Sequence, residues 1–283
     1  MNRSRLPPMP QLHTSPHRAH KGILFSLLAC GTLLGLCAPV RAAEGGPESV
    51  HICHENEDAF PWLLKDKPGY SQIMMTQLEK QLGTPIKLVP MPWKQCLAEV
   101  KSGKIDGAMN ASFSAERAEF AHYPLKLDGE ADATKRMYRA TYALYKTKGA
   151  SVSWDGKALS GNGTFGAQAG FSIVAQLKQL GVKVEDNAPT ADELLNRVAS
   201  GRYLAAALQT TEAEASLAAL PALHSKIERV SPPLVDKAYF TIFSKPFFTK
   251  HGQTAREVWR LQGKLRESPE FKGQVSHLMK SVD

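Results

Sequence analysis

Trp93, Leu97 and Val100 fall at i, i+4 and i+7, one apolar face of a short helix that Gly103 ends. Ile105 to Met109 follows as an apolar run of strand length. Asn110, Ser112 and Ser114 then lead into a second helical stretch that carries Arg117 near its start. The same alternation is legible upstream. Val50 to Cys53 reads as a strand, and Ser71 to Leu82 as a helix with Met74, Leu78 and Leu82 spaced by four and Gly83 as its stop. Ile86 to Val89 is the next strand, bounded by prolines. Strand, helix, strand, helix, strand in that order predicts a parallel α/β sheet. The loop from His54 to Tyr70 contains Phe60-Pro61-Trp62.

A weak internal echo runs through the second half. The segment beginning Val100-Lys-Ser-Gly-Lys-Ile-Asp-Gly-Ala-Met recurs as Val198-Ala-Ser-Gly-Arg-Tyr-Leu-Ala-Ala-Ala, each copy closing a helix with Ser-Gly before an apolar run. The later helix has a start signal of its own, Thr190 with Glu193 as a capping box, and Gly201 as its stop. Around it, Thr164 to Gln168 reads as a strand, Gly170 permits the turn into a helix from Ser172 to Leu180, and Val182 to Val184 is the next strand. Tyr203 to Leu208 is fully apolar, as a buried parallel strand should be, with Gln209 at its end. Two similar α/β lobes are expected. The crossing between them is expected within Lys135 to Thr141, before a strand from Tyr142 to Lys146. The return is expected near Ser231-Pro232-Pro233, and Tyr239 to Phe243 with helices from Thr254 to Met279 complete the first lobe.

The first 42 residues have a different character. Arg3, Arg5, Arg18 and Lys21 form a basic stretch without an acid, Ile23 to Leu36 is apolar but short for a membrane span, and Val40-Arg41-Ala42 is a small-residue site. This predicts a signal peptide cleaved after Ala42 and a periplasmic protein. Leu27-Leu28-Ala29-Cys30 loosely fits a lipobox, but the apolar run continues past Cys30. The chain has 35 basic and 27 acidic residues; loss of the leader leaves 30 against 27, a net charge of +3. That balance is too mild to imply nucleic acid or an anionic membrane surface.

Cys30 and Cys37 leave with the leader, so Cys53 and Cys96 form the only pair. In an oxidising compartment such a pair points to a disulfide. The competing arrangement, a metal or redox site of His51, Cys53 and His54, meets the objection that His54 points to the opposite face of a strand. No metal and no cofactor is expected.

Asn110, Ser112 and Arg117 bring an amide, a hydroxyl and a guanidinium to the C-terminal end of a strand, beside a helix start. Ligands bind at that place in open α/β sheets, and these groups suit a carboxylate. Each has a plainer reading. Arg117 also fits a solvated charge between Glu116 and Glu119, Asn110 and Ser112 fit turn or cap chemistry, and Ser172 fits an N-cap.

The SGKIDG turn, the polar run after it, and Arg117 followed by Tyr123-Pro124 resemble the family 3 extracellular solute-binding proteins, periplasmic receptors typified by amino-acid uptake systems. The resemblance is specific around Pro92 to Pro124, fair around Phe165 to Gln209 and vague at the C-terminus. It implies a type II periplasmic-binding-protein fold, two lobes each with a mostly parallel sheet flanked by helices, joined by two hinge crossovers. The lobes would divide as 43–137, 138–235 and 236–283, with the last segment returning to the first lobe. A subgroup similarly pairs an early strand Cys with a Cys after Pro-Trp. The resemblance further implies that Arg117 forks onto a ligand carboxylate, helped by Asn110 and Ser112. Ser172, after Gly170, would meet it from the second lobe where the family usually has Thr. Phe60 or Trp62 would stack on the ligand, while Trp93, on the helix's apolar face, reads as core. Amino-acid receptors carry an Asp after the second-lobe strand to pair with the ligand ammonium; this chain has Gln209 there, with Glu212 three residues on.

The expected function is capture of a small organic anion or amino-acid-like solute by a monomer serving an ABC-type permease or a sensor. One alternative is a ligand-independent accessory protein of a periplasmic enzyme. The other is a dehydratase-like enzyme with Glu57, Asp58 and Glu212 as candidate acids. No GxSxG, HExxH or P-loop pattern supports another reaction class.

Overall fold

A computed structural model describes residues 45–279. The basic stretch, the apolar stretch, the cleavage site and the lipobox lie outside them. Among the described residues no helix is long and apolar enough to cross a membrane.

The chain opens with β1 (Val50–His54), α1 (Tyr70–Leu82), β2 (Ile86–Pro90), α2 (Trp93–Ser102) and β3 (Gly107–Ser112). Then come α3 (Ala115–Ala118), β4 (Ala121–His122) and the long strand β5 (Tyr138–Thr147). A small hairpin of β6 (Ser153–Trp154) and β7 (Leu159–Ser160) precedes β8 (Thr164–Gln168), α4 (Ile173–Gln179), β9 (Lys183–Ala188), α5 (Ala191–Ala199) and β10 (Ala205–Gln209). The chain closes with α6 (Thr210–Ala219), α7 (Pro221–His224), β11 (Ile227–Ser244), α8 (Lys245–Glu267) and α9 (Pro269–Met279).

The strands follow one hydrogen-bonded path, β2-β1-β3-β11-β5-β10-β8-β9, with β4 on β11. Its two ends are parallel: β1 pairs with β2 and β3, and β8 with β9 and β10. Its middle is antiparallel, because β11 meets β3 and β5, and β5 meets β10. The expected strand from Tyr142 therefore begins earlier, at Tyr138, and runs on through β5. The reason is its partner. Val235 to Tyr239 of β11 pair with Tyr142 to Tyr138, and Ile227 to Val230 pair with Thr147 to Leu144, with a break in register at Ser231-Pro232-Pro233-Leu234 between. Two prolines cannot donate to a ladder, so the break falls on them. The result is a two-stranded ribbon that continues into both parallel ends.

The echo is structural. Gly103 N–H bonds to Val100 O at 3.1 Å and Gly201 N–H to Val198 O at 3.0 Å, both with φ near +75°. In each copy the strand starts four positions after the glycine, at Gly107 and at Ala205, later than the apolar run suggests. Ile105 is buried but lies in the turn, and Asp106 accepts His51 N–H at 2.8 Å before the ladder begins. The expected capping box at Thr190 is half made. Thr190 Oγ1 accepts Glu193 N–H at 3.2 Å, while the Glu193 carboxylate turns to Arg197.

Cys53 and Cys96 are bonded, with their Cα atoms 5.7 Å apart, tying the end of β1 to α2. His51 turns to Asp106, and His54 Nδ1 bonds to Glu55 O. Among the described residues no group of His, Cys, Asp and Glu is arranged to hold a metal.

Candidate functional site

Residues at or just past the C-terminal ends of β1, β3, β8 and β10 line a small cavity of about 30 Å³. Its walls come from both parallel ends of the sheet: Glu55, Trp62, Trp93, Asn110, Ser112 and Arg117 from one side, Phe171, Ser172 and Gln209 from the other. Tyr138, Tyr142 and Tyr239 of the ribbon form its floor.

Arg117 is buried, at 5 % exposure. Its Nη1 donates to Ser112 O at 2.9 Å and Ser112 Oγ at 3.3 Å, its Nη2 donates to Gly170 O at 2.9 Å, and its guanidinium lies 5.5 Å from the Trp93 ring. It is therefore no solvated helix charge. Ser114 Oγ takes the cap of α3 by accepting Arg117 N–H, which leaves the Ser112 hydroxyl free of capping duty. Ser172 precedes α4 without a side-chain capping bond. Its hydroxyl instead lies 2.7 Å from Ser112 Oγ. Gly170, at φ +75°, adopts a backbone that disfavours a side chain, and its N–H bonds to Asp186. Asn110 is the one non-glycine residue with positive φ among those described, at +61°. It sits where the β3–β11 register slips between Phe240 and Ile242, a bulge that re-aims the strand's side chains beside the cavity. Its Oδ1 accepts from Ser71 Oγ at 2.7 Å.

Trp62 lines the cavity and stacks on Tyr138 at 3.7 Å, which in turn stacks on Tyr239 at 4.8 Å. Its indole N–H is buried without a partner, as is Gln209 Oε1. Phe60 is not among the lining residues; it packs against the hydrophobic core. Trp93 is both buried core and cavity wall. Glu212 does not fill in for the missing Asp. It is buried on Gln168, whose Nε2 donates to its Oε1 at 3.0 Å, and burial pushes its carboxyl up to about 8. Glu57 and Asp58 stay at the rim, on Lys65.

Two residues went unnoticed in the sequence. Glu55 lines the cavity, accepting the N–H groups of Asn56 and Trp93; burial raises its pKa. Lys237, on β11, donates to Ser172 Oγ at 2.9 Å. Burial, and then the Arg117 charge, bring its ammonium down to about 8. Lysine alternating with apolar residues on a strand carries no signal by itself.

No protein-family model and no curated protein sequence matches the chain. Solved structures do. The arginine-bound amino acid ABC transporter substrate-binding protein AbpA of Streptococcus pneumoniae matches with a TM-score of 0.63 and 20% identity, over 83% of this chain and 97% of that one. A histidine kinase sensor domain with similarity to periplasmic binding proteins matches at 0.62 and 13%, over 83% and 95%. The ancestral amino-acid-binding protein AncCDT-1, a precursor of cyclohexadienyl dehydratase, matches at 0.59 and 16%, over 83% and 95%. The fold is that of the two-lobed periplasmic binding proteins. The β2-β1-β3 end of the sheet lies on one side of the β5–β11 ribbon and the β10-β8-β9 end on the other.

Proposed function

We propose that the protein is a periplasmic solute-binding protein that captures a small carboxylate-bearing solute between its lobes and presents it to a transporter or a sensor. The observation that carries this is the convergence of Arg117 and Ser112 from one lobe with Ser172 from the other, at the ends of strands where an anion is met by donors on both sides. Signal-peptide cleavage after Ala42 would deliver the chain to its compartment, and lobe boundaries near 137 and 235 would fall on the ribbon. Solved structures of this fold include both a transporter's substrate-binding protein and a sensor domain, which motivates the two kinds of partner.

The solute need carry no ammonium. Gln209, at the end of β10, can accept from one but not neutralise it, and Glu212 is engaged by Gln168. Capture is favoured over turnover. Glu55 is the one carboxyl among the lining residues, and both its oxygens are tied to backbone N–H groups. A dehydratase that used a lining carboxyl would need it free to meet its substrate.

A thermal-shift panel of amino acids, hydroxy acids and dicarboxylates tests the reading. A bound solute at ~100 times its dissociation constant adds about 2.7 kcal/mol of stability. Carboxylates should raise the melting temperature, and Arg117→Lys, which keeps the charge and loses the fork, should erase most of the gain. A shift with neutral sugars or cations alone would overturn the reading.

A further inference from the structure

The hydroxyls of Ser112 and Ser172 join two cations. Arg117 Nη1 donates to Ser112 Oγ at 3.3 Å, the two hydroxyl oxygens are 2.7 Å apart, and Lys237 Nζ donates to Ser172 Oγ at 2.9 Å. Lys237 reaches this point because of its strand register. Its neighbour Asp236 pairs with Arg139 at 2.7 Å on the exposed side, so Lys237 shares the face of Tyr239, which lines the cavity. Its ammonium also lies 5.9 Å from the Tyr142 ring.

Neither Arg117 nor Lys237 has an acidic side chain within salt-bridge distance among the described residues. The nearby carboxyls are committed elsewhere. Glu55 holds the N–H groups of Asn56 and Trp93, Asp186 holds Lys94 and Gly170 N–H, and Glu212 lies on Gln168. Arg117 thus stands among Trp62, Trp93, Tyr142, Phe171 and Tyr239, and Lys237 lies a few hydrogen-bond lengths from it, beside Ser172 and the Tyr142 ring. Unpaired charge in such surroundings is expensive, and the two repel each other. One carboxylate would leave the pair half neutralised.

We infer that the captured solute is a dianion, a small dicarboxylate or a similarly doubly charged organic acid. One anionic head lies on Arg117 and Ser112 and the other on Lys237 and Ser172. This rests on the solute-binding reading and narrows it. The short hydroxyl bridge calls for a short spacer between the heads, as in malonate, succinate, glutarate or phthalate. Lys237 sets the preference for the second charge. Burial and Arg117 draw its ammonium down to about 8, and a second carboxylate would restore it.

Calorimetric titration of protein purified from periplasm tests this with matched pairs: malonate, succinate, glutarate and phthalate, each against its half-amide of nearly the same shape and one charge less. At least one diacid should bind ten-fold or more tighter than its half-amide. Lys237→Met should collapse that ratio toward unity, and Lys237→Arg should keep it. The wild-type ratio alone decides the matter if the methionine variant fails to fold. Half-amides binding as tightly as their diacids, or an α-amino monocarboxylate binding more tightly than every diacid, would overturn the inference and leave the solute-binding reading standing. Heat from none of these acids, with no shift from any amino or hydroxy acid, would overturn both.

Discussion

Ser112 and Ser172, sixty positions apart in the chain, hold their hydroxyl oxygens 2.7 Å from one another across the cleft. Neither hydroxyl caps a helix, the ordinary employment of a serine at a helix start. Each instead accepts from a cation of its own, Arg117 for Ser112 and Lys237 for Ser172.

Ser172→Ala should therefore cost affinity, and some stability as well, because Lys237 loses its acceptor. A hydrogen bond to a charged group contributes roughly 1.5–3 kcal/mol, so anion binding should weaken about 10- to 100-fold. The melting temperature of the free protein should fall by a few degrees at most. Titration calorimetry and a melting curve measured on one preparation check both halves; a large fall in melting temperature with unchanged binding would return Ser172 to a structural role.

The Cys53–Cys96 bond closes a loop of sequence separation 43 between β1 and α2. In the chain-entropy model that closure contributes roughly 3–4 kcal/mol. Reduction, or Cys53→Ala with Cys96→Ala, should lower the melting temperature by on the order of 10 °C. Two titratable thiols in protein taken from periplasm without reductant would contradict the pairing.

Glu212 makes the stability depend on pH. Burial raises its carboxyl from 4.5 to about 8, so between those values the native chain keeps a proton that the unfolded chain has released. Its contribution is fully present below 4.5 and is lost as pH rises through 8, with a slope of up to ~1.4 kcal/mol per pH unit. Glu212→Gln retains the shape without the titration. It should match the wild type at pH near 5 and melt higher near 8. A difference between the two proteins that stays constant with pH would contradict the assignment.

The lobes should turn about the ribbon, near Tyr138 to Tyr142 on β5 and Val230 to Val235 on β11, where the register breaks. Small-angle scattering with and without a tightly bound dicarboxylate should show a more compact particle with it. One unchanged profile, under conditions where calorimetry shows saturation, would argue for a rigid scaffold.

Much of this fold was legible because helix stops are local. Gly83, Gly103, Gly181 and Gly201 end helices by backbone chemistry that needs no distant partner, so the two echoing halves could be read directly. The ribbon was harder. Ile227 to Tyr239 form one strand because β5 lies beside them, and Ser231-Pro232-Pro233 looks like a break when read alone. The site divided the same way. A sequence resemblance brought Arg117, Ser112 and Ser172 forward, and they line one cavity; the cysteine pair was legible by counting. Phe60 and Trp62 were indistinguishable in sequence, and packing sent one into the core and the other to the cavity. Lys237 gave no sign, since what matters is a hydroxyl 65 positions away.

The ribbon that joins the lobes also furnishes Tyr138, Tyr142, Tyr239 and Lys237 to the cavity and its edge. On the proposed reading, joint and recognition surface are made from the same side chains. A change in this chain's preference among solutes cannot be selected at these positions without retuning how the halves swing, nor the swing without the preference. Divergence of taste is therefore expected to concentrate at Trp62, Phe171 and Gln209, which touch the cavity from outside the joint.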